Sequence, residues 1–189
     1  MAQRLVLLHG WGATAADLQP LGEQLAANHP DELDVVCFEA PEPHPQPGGR
    51  QWYALFPSDW DAVPNAVEQL TARLLDLPRD GIPLERTVLF GFSQGGAMAL
   101  SCGCSLPLAG VISCSGYPHP DWQPPLDHPP VLAMHGSEDE IVPPTALDSI
   151  KTRLNQDRCQ SVLFKNGHTI PLEMMQPLQT TLQDMLKSP

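Results

Sequence analysis

Thr87 to Ser101 reads TVLFGFSQGGAMALS, and this stretch decides the reading of the chain. A β-branched and apolar run ends at Gly91, Ser93 follows two residues later, and Gly95 and Gly96 open a run of small residues suited to a helix. The pattern is G-x-S-x-G placed strand, turn, helix, the setting of a nucleophile elbow. In that turn a serine hydroxyl is lifted above the sheet, and flanking glycines remove the Cβ atoms that would collide with the crossing backbone. The helix after Ser93 also points backbone N–H groups toward the place where an oxyanion would form. A bare G-x-S-x-G can be no more than a glycine-rich turn; the strand before it and the helix after it favour a nucleophile.

Working outward, similar apolar runs lie at Arg4 to Leu8, Leu33 to Phe38, Gly110 to Ser115, Val131 to His135 and Ser161 to Lys165. With Thr87 to Gly91 they make about six strands, apolar enough to be covered on both faces. Helical spacing appears at Leu18, Leu21 and Leu25 after a cap at Thr14, and at Val63, Val67, Leu70 and Leu74 after Asp59 or Asp61. Further helices are expected at Gln94 to Cys104, Pro144 to Leu154 and Leu172 to Lys187. Strands separated by helices predict an α/β fold with a mostly parallel central sheet and helices on both faces. Two connections look non-helical: Gly116 to Pro130, and Glu39 to Gly49, whose four prolines and two glycines read as a rigid loop.

A serine nucleophile needs a base, and the base needs an orienting acid. In this strand-turn-helix arrangement the chain order should be serine, acid, histidine, each in a loop after a later strand. Of the seven histidines, His168 alone follows the last predicted strand, in Asn166-Gly167-His168-Thr169, and it is the expected base. His9 and His135 stand at strand ends beside glycines, where structural hydrogen bonds are expected. His29, His44, His119 and His128 sit among prolines or at a helix end and are expected to be exposed. The acid should come from MHGSEDEIVP, which follows the fifth strand and offers Glu138, Asp139 and Glu140; residue chemistry does not choose among them. The first strand runs into His9-Gly10-Trp11-Gly12, a tight turn able to supply half of an oxyanion hole. The donors are assigned to the backbone N–H of Trp11 and of Gln94.

Composition narrows the field. The 189 residues suit one domain, 1–189, able to bury roughly 70% of its unfolded surface without disulfides. Ten basic against 22 acidic residues give a net charge of −12, which disfavours nucleic acid and anionic lipid. Five cysteines without a spaced framework indicate reduced thiols and a cytoplasmic location. No apolar stretch is long enough for a membrane span, and Leu5 to Leu8 is too short for a signal-peptide core, so no stable membrane insertion is expected. Proline and glycine make up about 19% of the chain, short of the roughly 25–30% that signals disorder. Cys102, Cys104 and Cys114 lack zinc-knuckle spacing and read as small buried hydrophobes, so no metal is expected. No phosphate-binding glycine motif accompanies a later ribose-binding acid, and no cofactor is expected.

Taken together, LLHGWG, GFSQGGAMAL, HGSEDEIVP and NGHTI resemble the α/β-hydrolases of the phospholipase/carboxylesterase family, which include acyl-protein thioesterases and small bacterial carboxylesterases. The resemblance spans nearly the whole chain, with GRQWY at Gly49 to Tyr53 and GVISCSGYP as weaker matches. It implies that Asp139 is the acid, and that Trp11 and Gln94 supply the oxyanion donors. The sequence departs from the family pattern in opening directly on the strand that feeds His9-Gly10-Trp11-Gly12, without the usual leading antiparallel strands, and Gly116 to Pro130 is too short and proline-rich for a lid domain. A minimal α/β-hydrolase is therefore expected, with an open acyl site formed by Trp11, Gln51, Trp52, Tyr53 and Phe92. The expected activity is cofactor-free hydrolysis of short- to medium-chain acyl esters or thioesters by Ser93, His168 and Asp139 through an acyl-enzyme. A catalytically silent binding protein on the same fold and a serine peptidase are the competing readings. The partner is then a small acyl ester or thioester; the edge strands and the tryptophan-lined groove are compatible with a homodimer.

Overall fold

The computed structural model describes residues 2–187 apart from the Asp80 side chain, so Met1, Ser188 and Pro189 of the expected domain lie outside it. The elements run β1 (Gln3–Leu8), α1 (Ala15–Ala27), β2 (Leu33–Phe38), β3 (Glu42–Pro43), β4 (Arg50–Gln51), α2 (Val63–Asp76), β5 (Thr87–Phe92) and α3 (Gln94–Gly103). They continue with β6 (Gly110–Cys114), β7 (Val131–Gly136), α4 (Thr145–Lys151), β8 (Cys159–Phe164) and α5 (Met175–Lys187). Six strands form one parallel sheet in the order β2-β1-β5-β6-β7-β8.

The two-residue period of a strand splits β1 between two cores. Val6 and Leu8 pack with α2, α3 and α4 on one face, while Leu5 and Leu7 pack with α1 and α5 on the other. The four central strands are buried on both faces, as expected. The edge strands depart from that expectation. β2 is half-buried, and β8 exposes Gln160, Ser161 and Leu163, because an edge strand has a neighbour on one side only and its helix cover is incomplete. The proline-rich segment after β2 is also more regular than expected, because Glu42–Pro43 and Arg50–Gln51 pair as a short antiparallel hairpin.

Register sets up the site. The chain leaves β1 for β2 on one side and later returns to β5 on the other, which opens a crevice at the carboxyl ends of β1 and β5. Leu8 pairs with Gly91, so the segments 9–12 and 92–94 emerge side by side. On the far side Gly136 pairs with Phe164, which brings the loops after β7 and β8 together. Ser137 N–H donates to Phe164 O at 2.8 Å and Glu138 N–H to Asn166 O at 3.0 Å, clipping those loops to each other. Among the described residues no helix interrupts the path from β6 to β7, and none is long and apolar enough to cross a membrane.

Candidate active site

Ser93 occupies the residue before α3 with φ 55° and ψ −118°, a conformation that costs a non-glycine residue on the order of 1–3 kcal/mol. The surroundings leave it little alternative. Its N–H donates to Cys114 O at 2.9 Å, and the crossing backbones are so close that a Cβ on Gly91 would lie 2.0 Å from Gly95 O. A Cβ on Gly95 would lie 2.1 Å from Leu8 O. Both glycines are therefore required by contact between main chains, and the strain is held by the packing of β1, β5 and α3.

His168 Nε2 lies 2.9 Å from Ser93 Oγ, and His168 Nδ1 lies 2.7 Å from Asp139 Oδ2. The second carboxylate oxygen, Oδ1, accepts the N–H groups of Ile141 at 3.0 Å and Val142 at 2.9 Å. Burial opposes ionisation of Asp139, but the His168 hydrogen bond, the two N–H donors and the imidazole charge outweigh it and hold the carboxyl below its ordinary range. Of the three adjacent acids, Asp139 is buried, whereas Glu138 and Glu140 face solvent.

His135 fixes this loop from beneath. Its Nε2–H donates to Val142 O at 2.9 Å and stands 3.5 Å from Asp139 Oδ2. His9 is likewise structural: Nδ1–H donates to Gly10 O at 2.8 Å and Nε2 accepts the Ala40 N–H at 3.0 Å. Burial lowers the His9 pKa, which agrees with a neutral ring using both nitrogens.

Across from the dyad, no hydrogen bond among the described residues occupies the N–H of Trp11 or Gln94. Gln94 opens α3, where N–H groups have no partner within the helix. The Gln94 side chain is fully buried and clamps the preceding loop: Oε1 accepts Trp52 N–H at 3.0 Å, and Nε2 donates to Tyr53 O at 2.8 Å. Gln51 Oε1 accepts the Trp11 indole N–H at 2.8 Å, and Trp52 Nε1 donates to His9 O at 2.9 Å. The GRQWY segment thus buttresses the turn that carries Trp11.

The structure consequently separates the residues expected to line the acyl site. Trp11 does line a groove, of about 630 Å³, that runs past Ser93 and His168. Trp52 and Tyr53 do not; both are fully buried, the first drawn inward by its indole hydrogen bond and the second by Tyr117 and His119. Gln51 supports Trp11 from behind, and Phe92 packs its ring on His168 at 4.9 Å without forming part of the groove wall. The walls include three residues not anticipated, Phe56, Trp60 and Ile141, which are 77%, 41% and 71% exposed. An aromatic run with no helical or strand period, beginning at Trp52, was the available sign of the first two.

The histidine expectations also need correction. His44, His119 and His128 are buried, and His29 is half-buried. His119 links Ser101 Oγ at 2.6 Å to Tyr53 OH at 2.8 Å, and Tyr53 OH meets Tyr117 OH at 2.7 Å on the groove wall. Burial lowers the His119 pKa to about 4 and raises that of Tyr117 to about 12. Arg153 holds the segment in place by donating to His119 O at 2.8 Å and Trp122 O at 3.1 Å. Cys102, Cys104 and Cys114 are buried thiols pushed up to about 12 by burial. Among the described residues no cluster of His, Cys, Asp and Glu could hold a metal ion.

A strained serine in contact with a histidine that meets a buried aspartate invites comparison with known hydrolases. The family described as Phospholipase/Carboxylesterase matches residues 1–186. The chain belongs to that family. It is an enzyme of the carboxylic ester hydrolase class, on the α/β-hydrolase fold. This carboxylesterase-family chain is 28% identical over 160 residues to acyl-protein thioesterase 1 of Yarrowia lipolytica, covering 73% of this chain and 70% of that one. It is 27% identical over 217 residues to acyl-protein thioesterase 1 of Neurospora crassa, covering 96% and 86%. In three dimensions it superposes on the crystal structure of esterase PE8 with a TM-score of 0.83 at 28% identity, over 97% of this chain and 93% of that one.

Proposed function

We propose that this chain hydrolyses short- to medium-chain acyl esters and thioesters through Ser93, His168 and Asp139, with an acyl-enzyme on Ser93. The observation that carries the reading is the unbroken line Ser93 Oγ, His168 Nε2, His168 Nδ1, Asp139 Oδ2, with steps of 2.9 and 2.7 Å, at the floor of an apolar-rimmed groove. Ser93 Oγ attacks the acyl carbon while its proton passes to His168 Nε2. Asp139 accepts the Nδ1–H, which keeps Nε2 free as the base and stabilises the imidazolium. The N–H groups of Trp11 and Gln94 receive the oxyanion; loss of one such donor typically costs about 100-fold in rate. Water, activated by the same imidazole, then releases the acid from Ser93.

The groove volume falls within the ~300–1,000 Å³ of small-molecule sites, and Phe56, Trp60 and Ile141 give it an apolar rim suited to an alkyl chain. The two named acyl-protein thioesterases add support for thioesters as well as oxygen esters. The test is hydrolysis of p-nitrophenyl esters from acetate to long chains. Turnover should peak at short to medium length and vanish in Ser93→Ala; turnover that survives that substitution would overturn the assignment.

A further inference from the structure

A second cavity, of about 420 Å³, also has His168 in its wall and lies at the end of the sheet covered by α1 and α5. Its walls include Leu18 and Leu21 of α1, Phe92, and Ile170, Leu172 and Met175 of the segment leading into α5. Leu172 is 81% exposed, and Leu21, Ile170 and Met175 are half-buried, so the cavity presents apolar surface to solvent. It shares His168 with the groove but is not bounded by Ser93, although Gly10 on its rim lies against the Ser93 side chain. Asp17 also lines it, with its carboxylate engaged by the Thr14 N–H at 2.7 Å and the Thr14 hydroxyl at 2.8 Å. Among the described residues no lysine or arginine lines it.

Resting on the esterase reading above, we propose that this cavity binds the leaving group, and that the preferred substrates are esters or thioesters of an uncharged apolar alcohol or thiol. In the tetrahedral intermediate the acyl carbon is bonded to Ser93 Oγ and its oxygen faces the Trp11 and Gln94 N–H groups, which leaves two substituents, the acyl chain and the leaving atom, to be divided between the groove and the cavity. The leaving oxygen or sulfur must meet His168 Nε2 to be protonated. As the carbonyl re-forms, the bond from carbon to that atom breaks with its electron pair, and the proton that His168 took from Ser93 moves to it. A group extending from an atom against the imidazole continues into the space that His168 and Phe92 bound. That space has mostly apolar walls, with His9, Asp17, Gln24 and Thr169 among them and no lysine or arginine among the described residues, so an alkyl or aryl group is favoured and a phosphate-bearing one finds no counter-charge.

The test varies the two halves of the substrate independently in the full chain. Alkyl acetates from ethyl to hexyl probe the leaving group, and ethyl esters from acetate to hexanoate probe the acyl group, in the wild type, Leu172→Trp and Leu21→Trp. In the wild type kcat/KM should rise from ethyl to hexyl acetate. In each tryptophan variant the hexyl-to-ethyl ratio should fall about tenfold, while the hexanoate-to-acetate ratio is kept. Because the alcohol departs before water enters, the loss should sit in acylation and not in the deacylation rate. If the tryptophans flatten the acyl-length series instead, the cavity holds the acyl chain and the proposal is wrong. If neither series responds while Ser93 still turns over ester, the cavity has no substrate role. If no ester turns over and Ser93 is not labelled by a fluorophosphonate, the esterase reading itself falls and takes this one with it.

Discussion

His119→Gln should remove a specific part of the acid sensitivity of this fold. The imidazole is 4% exposed, and burial moves its pKa from the ordinary 6.5 to about 4. Folded protein therefore keeps His119 neutral between those values, while the unfolded chain protonates it. The unfolded state binds the extra proton, so stability falls as pH is lowered. The full contribution is present above pH 6.5 and is lost progressively down to about pH 4. At about 1.4 kcal/mol per pH unit, the loss across that window is about 3 kcal/mol. The variant keeps a polar side chain between Ser101 and Tyr53 but cannot titrate. Urea unfolding of both proteins from pH 7.5 to 4, at fixed ionic strength, measures the difference directly. The wild type should be the more stable at pH 7.5, and its advantage should shrink by about 3 kcal/mol, or reverse, by pH 4. His9, also lowered by burial, titrates in both proteins and drops out of the comparison. Parallel stability curves would refute the reasoning, because they would mean that His119 is protonated as easily in the folded state as in the unfolded one.

Gly95→Ala should abolish activity and destabilise the fold by about 1–3 kcal/mol or more, because its Cβ would lie 2.1 Å from Leu8 O and main chain cannot yield; thermal melting and an ester assay read both effects. Asp139→Asn should lower kcat by about 10³- to 10⁴-fold, because an amide can donate to His168 and favour the wrong tautomer. Since the Asp139 carboxyl is held below its ordinary range, its stabilisation is present above about pH 4 and lost below it, so the variant's deficit in urea unfolding should shrink in acid. Trp52→Phe should cost about 1–3 kcal/mol by leaving His9 O without its indole donor, and should lower kcat with little change in KM for small esters. A groove-wall role for Trp52 would instead appear as a raised KM.

Ser93 and His168 could be expected from chain order and from where strands end, but neither rule chooses among Glu138, Asp139 and Glu140; the family resemblance pointed to Asp139, and the contacts that set it apart come from His168 and from the Ile141 and Val142 N–H groups. A strand-turn-helix context singles out Ser93, and the requirement for a histidine after the last strand leaves one candidate. The six strands were legible from apolar runs, and their parallel order from the helices between them. What escaped was decided by partners far along the chain. Trp52 and Tyr53 look like groove aromatics until the indole meets His9 O and the phenol meets His119 and Tyr117. His119, set among prolines, looks exposed until Arg153, 34 residues later, draws that segment down by its carbonyls. The exposure of β8 follows from its place at the sheet edge, which apolar character alone does not reveal.

The most direct test of the central claim is intact-protein and peptide mass spectrometry after reaction with a fluorophosphonate, comparing wild type with Ser93→Ala and His168→Gln. One adduct is expected, on Ser93, absent from Ser93→Ala and strongly slowed in His168→Gln, because the hydroxyl needs the imidazole 2.9 Å away to take its proton. An unmodified wild-type chain, or an adduct on any residue other than Ser93, would contradict it.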